Sequence, residues 1–260
     1  MKFLKKLFPS IKIFLYFTIP FLVFACSSAK KEVKETPFEP EKTLLQAESL
    51  MERGFYEDAR KVLEEIRTKD ASLQYSILAK LRIADTYFDD GSYEEAVVEY
   101  ESFLSAYPSH KYASYAQYKL AMSFFRQITT VDVSYSAAQR AMQEFEKLQR
   151  TYPRNPYMEV TESRIAACRR ILAEYEFYVG SFYFKKGAYG AAAQRFDGLL
   201  KNFPDSVKES ETLYYLGLSY ENMGQREKAV NTLTALIEKF PAIKLSSDAK
   251  ELISSLKEKK

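Results

Sequence analysis

The side chains of this 260-residue chain that could do covalent chemistry are few. There is one histidine, His110, two residues after Pro108 in a stretch that reads as a turn. No P-loop, HExxH, GxSxG or CxxC pattern occurs. Carboxylate pairs such as Glu94 and Glu95 stand at the start of second helices, where they favour the helix dipole rather than acid–base work. A single His excludes most His-based catalysis and most His-rich metal sites. Cys168, with Ile165 and Leu172 as its helical neighbours, reads as a small buried hydrophobe. The chain is therefore expected to be no enzyme and to hold no metal or dissociable cofactor. What remains abundant is aromatic surface: 20 Tyr and 19 Phe, with no Trp. Aromatic side chains bury large areas and suit capture of another polypeptide.

The other cysteine, Cys26, must be placed by the segment before it. Residues 1–12 are basic, residues 13–24 (IFLYFTIPFLVF) are uncharged and apolar, and Ala25 precedes Cys26. A basic start, a short apolar run and a small residue before the cut describe a secretory signal over residues 1–25. The run falls short of the ~20 residues a bilayer span needs; a short signal anchor is the other reading. Val23-Phe24-Ala25-Cys26 resembles the bacterial lipoprotein box. That resemblance implies cleavage before Cys26, N-acyl and S-diacylglycerol groups on it, and, with Ser27 following, the outer membrane of a Gram-negative cell. Two or more acyl chains give stable anchoring. Residues 26–40, with two prolines and many charges, read as a lipidated tether. Without residues 1–25, which hold four Lys and no acid, the chain has 34 basic and 35 acidic residues. A near-neutral body lacks the footprint of a nucleic-acid binder.

The body repeats itself. SAYP, RTYP, KNFP and EKFP end at Pro108, Pro153, Pro204 and Pro241, and an alanine stands twelve residues before each: Ala96, Ala141, Ala192 and Ala229. Gly91, Gly187 and Gly224 lie five residues before three of these, and Gly54 with Ala59 adds a copy upstream. The pattern resembles the tetratricopeptide repeat, a helix–turn–helix unit of about 34 residues. The expected fold is all-α: an α-solenoid of five such units with a C-terminal capping helix opened by Ser246-Ser247-Asp248. The third unit carries eight extra residues near Ile128–Tyr135, and 17 more lie between units three and four. Tyr157 to Lys186, without Pro and with one Gly, reads as one long helix. The expected division is residues 41–155 for units one to three, and residues 156–260 for the long helix, units four and five and the cap.

Signal, tether, five units, the enlarged third turn and the long helix together resemble the BamD family, the lipoprotein subunits of the outer-membrane β-barrel assembly (BAM) machine. The phrases AMQEFEKLQRTYPRNPY (141–157), LAEYEF (172–177), KKGAY (185–189) and RFDG (195–198) carry the resemblance. It implies a non-enzymatic scaffold with two jobs. The first half would receive the C-terminal strand of unfolded β-barrel outer-membrane proteins in a groove lined by first helices. The groove residues expected are Leu81, Phe88, Tyr115, Tyr118, Met122, Phe125 and Arg126, with acids such as Asp85 and Asp89 at its flanks. Phe88, Tyr118 and Phe125 would hold an aromatic residue and Arg126 its carboxylate; ordinary packing is the alternative for these rings. The second half would dock on the POTRA region of BamA through Arg195, which could equally be a solvated helix charge. Other BAM lipoproteins are further implied partners. A different outer-membrane repeat adaptor, serving peptidoglycan hydrolases or division, is the competing reading.

Overall fold

The computed structural model describes residues 37–130 and 134–258. The signal peptide, Cys26 and most of the tether lie outside these residues. Eleven helices and no strand are found among the described residues: α1 (Pro40–Glu52), α2 (Tyr56–Lys69), α3 (Gln74–Asp89), α4 (Tyr93–Ala106), α5 (Ala113–Arg126), α6 (Tyr135–Thr151), α7 (Met158–Lys185), α8 (Tyr189–Asn202), α9 (Glu209–Asn222), α10 (Arg226–Lys239) and α11 (Lys244–Glu258). None of them is long and apolar enough to cross a membrane.

The core of the unit from Phe38 to Lys260 is a series of small clusters. Each joins one hairpin to the first helix of the next. Leu44, Leu63 and Ala79 meet across α1–α3, and Ala84, Tyr100 and Leu120 across α3–α5. Ala121, Phe145 and Cys168 meet across α5–α7, Phe196 and Leu216 across α8–α9, and Leu213, Leu233 and Ala249 across α9–α11. A unit thus buries its apolar face only with a neighbour's help, which is the physical definition of a solenoid.

The repeat residues do the packing the spacing predicts. Ala59, Ala96, Ala141, Ala192 and Ala229 are fully buried, as are the large residues four positions on: Leu63, Tyr100, Phe145, Phe196 and Leu233. In units four and five the first helix presents glycine at the crossing. A Cβ on Gly180 would lie 2.6 Å from Phe196 Cε1, and one on Gly217 would lie 2.6 Å from Leu233. The turn glycines act differently. Gly187 has open space around it but a φ of +74°, and Ala188 N–H closes on the Tyr183 carbonyl at 3.0 Å. That is a Schellman cap, which asks for the left-handed conformation.

The insertions sit where expected. Eight residues separate α5 from α6, and α7 is one helix of 28 residues, ~42 Å long. The last helix departs from expectation. It begins at Lys244, two residues before Ser246. Ser246 is buried, and its hydroxyl donates to the Phe240 carbonyl at 2.6 Å. It fastens the preceding turn instead of opening the helix.

Candidate peptide-binding surface

The first helices of neighbouring units touch, α1 with α3 and α3 with α5, so their side chains meet on one face. At its centre is a buried carboxylate. Asp85 Oδ1 accepts from Tyr100 Oη at 2.6 Å and Tyr115 Oη at 2.8 Å. Asp85 Oδ2 takes Arg82 Nη1 at 3.1 Å, and Arg82 Nη2 reaches Glu48 Oε1 at 3.3 Å. Burial pushes the Asp85 carboxyl above the usual carboxylate range, against the opposing pull of Tyr100, Lys119, Tyr115 and Arg82. Burial and the carboxylate together raise both tyrosine hydroxyls, so neither ionises near neutrality. The cluster ties α1, α3, α4 and α5 into one piece.

Beside it lies an aromatic surface held from beneath and faced by cations. Tyr118 and Phe125 both rest on fully buried Phe145, at ring separations of 6.2 and 6.3 Å. Tyr118 stacks on Tyr157 at 4.5 Å with 9° between planes. Phe88 carries the Lys119 ammonium 3.5 Å from its ring centre, and Asp89 pairs with the same ammonium at 3.5 Å. Burial lowers the Lys119 pKa despite Asp85 and Asp89. The Arg164 guanidinium lies 5.0 Å from the Phe125 ring centre. Arg126 is exposed and has no ion pair among the described residues. These rings and cations can recognise an aromatic group joined to an anion.

Two of the expected groove residues are not surface. Leu81 is 2% exposed in the cluster of α3–α5, and Met122 is 6% exposed against Phe145 and Cys168. Both are spent on joining one unit to the next. Asp85, expected at the groove flank, is core as well. Phe88, Tyr115, Tyr118 and Phe125 are half-buried on one face with Arg126 at its end, although Tyr115 directs its hydroxyl inward to Asp85. Sequence reasoning missed Lys119, Tyr157 and Arg164. The last two come from the segment after unit three, outside any repeat register.

In the second half, Arg195 of α8 is half-exposed and pairs with Glu176 of α7 at 3.2 Å. It is an inter-helix strut as well as a surface charge. A small cleft of about 310 Å³, lined by Glu176, Gln194, Arg195, Gly198 and Asn202, opens beside it.

The family described as YfiO, outer membrane lipoprotein, matches residues 39–232, from just before α1 into α10. This chain belongs to that family. Among YfiO-like relatives, the outer membrane protein assembly factor BamD of Xylella fastidiosa (strain 9a5c) is 25% identical over 230 residues, covering 85% of this chain and 79% of that protein. BamD of Pasteurella multocida (strain Pm70) is 25% identical over 229 residues, covering 84% of this chain and 86% of that protein. Among solved structures, the TPR2AB-domain:pHSP90 complex of yeast Sti1 aligns with a TM-score of 0.46 at 12% identity, over 83% of this chain and 84% of that one.

Proposed function

We propose that this chain is a lipid-anchored, non-catalytic scaffold for assembly of outer-membrane β-barrel proteins. Its inner face over units one to three takes the C-terminal strand of the unfolded barrel, and its second half docks on the POTRA region of BamA. Acylated Cys26 holds it on the periplasmic face of the outer membrane, where other BAM lipoproteins join it. Membership of the outer membrane lipoprotein family and the assembly role named for its relatives support the cellular setting. One observation carries the peptide reading: half-buried Phe88, Tyr118 and Phe125 sit among Lys119, Arg126 and Arg164. A strand ending in an aromatic residue and a free carboxylate offers both complements.

The test is fluorescence anisotropy with a Phe-terminated barrel peptide and its C-terminal amide. Arg126→Glu and Phe125→Ala should each weaken the acid by about tenfold, the cost of a moderate hot spot. The amide should be nearly blind to Arg126. Undiminished binding in both variants refutes the assignment. For Arg195, co-purification with BamA should be lost in Arg195→Glu and stay lost in Arg195→Glu/Glu176→Arg, which rebuilds the internal ion pair. Recovery in the swap would make Arg195 a strut only.

A further inference from the structure

A single apolar stripe runs the length of α7, and its partner stops before it does. Thr161, Cys168 and Leu172 are buried, with Ile165 between them packed against the α5–α7 cluster. Tyr175 lies 4.7 Å, ring to ring, from Tyr135, the first residue of α6. α6 runs antiparallel to α7 and covers nothing beyond that point. The next side chains on the stripe, Tyr178 and Phe182, are 54% and 50% exposed.

Every other interior unit covers this face with the second helix of the unit before it. Ala79, Ala116 and Thr212 occupy the place of Tyr175, and Thr86, Ser123 and Ser219 the place of Phe182. All six are almost fully buried and small, as close helix–helix approach demands, while the place of Tyr178 is held by half-buried Arg82, Lys119 and Tyr215 at the edge of the face. Among the described residues no helix precedes unit one; its Lys42 and Ser49 are exposed and polar, and Leu45, at the place of Tyr178, is 61% exposed. In unit four the preceding helix reaches this face only at Tyr175, where α6 begins, and among the described residues no helix covers the rest of it. Yet it is aromatic here, not polar. Lys185 and Lys186 stand at the end of the face; both are exposed and neither has an ion pair among the described residues. The Lys186 ammonium lies 5.8 Å from the Phe182 ring centre.

We propose that this face of α7 receives an amphipathic helix of another polypeptide, its apolar side on Tyr178 and Phe182 and acidic residues of its end against Lys185 and Lys186. A helix is the occupant because a helix fills the same place in units two, three and five, and would continue the line of α6. The two lysines set its charge. α11 of a second copy offers them no net acidity, since Lys244, Lys250 and Lys257 are balanced by Asp248, Glu251 and Glu258. Tyr178 and Phe182 point from a different side of α7 than Phe177 and Phe184, which pack on the α8–α9 cluster.

The test uses the whole mature chain and two labelled synthetic helices of about 14 residues, ~21 Å, each with a leucine stripe. One carries glutamates in its first turn, the other lysines. The acidic helix should bind, and the basic one about tenfold or more weakly. Tyr178→Ser and Phe182→Ser should each weaken the acidic helix by about tenfold. Lys185→Glu/Lys186→Glu should invert the preference. The proposal is overturned by equal binding of the two helices or by indifference to these variants. It is also overturned if light scattering finds a dimer that Phe182→Ser dissolves, or if phosphatidylglycerol vesicles bind through the same residues and the acidic helix does not. Anisotropy with the Phe-terminated peptide, which uses the other face, should be unchanged in Phe182→Ser, so the two readings fail separately.

Discussion

Replacing Asp85 by alanine tests the frame on which the peptide surface stands. Tyr100 is fully buried, and its hydroxyl has Asp85 as its partner at 2.6 Å. An orphaned buried donor costs about 1–3 kcal/mol. Tyr115 is half-buried and can turn to water, so its loss is nearer ~1 kcal/mol. Arg82 keeps Glu48, and its side chain is 35% exposed, which moderates its share. We expect Asp85→Ala to destabilise by about 2–4 kcal/mol, most of it from the orphaned Tyr100 hydroxyl. Asp85→Asn keeps an oxygen for both hydroxyls and should cost about half as much. Tyr100→Phe orphans nothing, because Asp85 retains Tyr115 and Arg82, and should cost ~1 kcal/mol. Urea unfolding followed by far-UV circular dichroism and by tyrosine fluorescence measures all three. The pH trend has a defined sign. Asp85 binds its proton more tightly folded than unfolded, so its contribution is full below about pH 3.9 and fades as pH rises through its raised native value. The advantage of wild type over Asp85→Asn should therefore be largest in acid and shrink upward. An Asp85→Ala chain within about 1 kcal/mol of wild type, or one no worse than Asp85→Asn, refutes the reasoning.

Gly217→Ala should lower the melting temperature, because its Cβ would stand 2.6 Å from Leu233 and overpacking of about 1–3 kcal/mol exceeds the helix-propensity gain. Gly198→Ala, in α8 with nothing within 4 Å, should raise it by the propensity gain alone, and thermal melts of the two compare the signs directly. Cys168, fully buried with its thiol pushed up to about 12, should resist Ellman's reagent in a folded Cys26→Ser chain and titrate as one thiol in guanidinium; rapid native labelling would contradict its burial.

What was legible in the sequence is what a single repeat decides by itself. The alanines that become Ala96 and Ala229 of the helix crossings, and the bulky residues after them, are local requirements repeated at fixed spacing. The long helix was readable for a similar reason, since Tyr157–Lys186 offers no proline to stop it. What was not legible depends on how units meet. Leu81 and Met122 sit at inner-face positions of their helices, and only the approach of the next helix spends them on core. Arg195 reads from the sequence as a docking residue or a solvated helix charge, and its strut to Glu176 was not legible because that partner stands 19 residues away. The clue was available: Glu176 occupies a place where a repeat expects a large apolar residue, and a carboxylate set there calls for a cation.

The residues inserted ahead of unit four account for two departures from a regular array. Their helix, the first half of α7, packs on α6 and closes unit three as a next unit would. In doing so it brings Tyr157 onto Tyr118 and Arg164 over Phe125, side chains that no repeat register would deliver. The second half resumes the register and sets Glu176 against Arg195. Between these two tasks the helix outruns α6, which leaves Tyr178 and Phe182 bare. A regular array of the same five units would have covered that stripe with a helix of its own and would have lacked the Arg164 cation on its inner face. Arg164 and Glu176 lie twelve residues, ~18 Å, apart on one unbroken helix. The inner face of the first half and the charged strut of the second are therefore carried on the same rod.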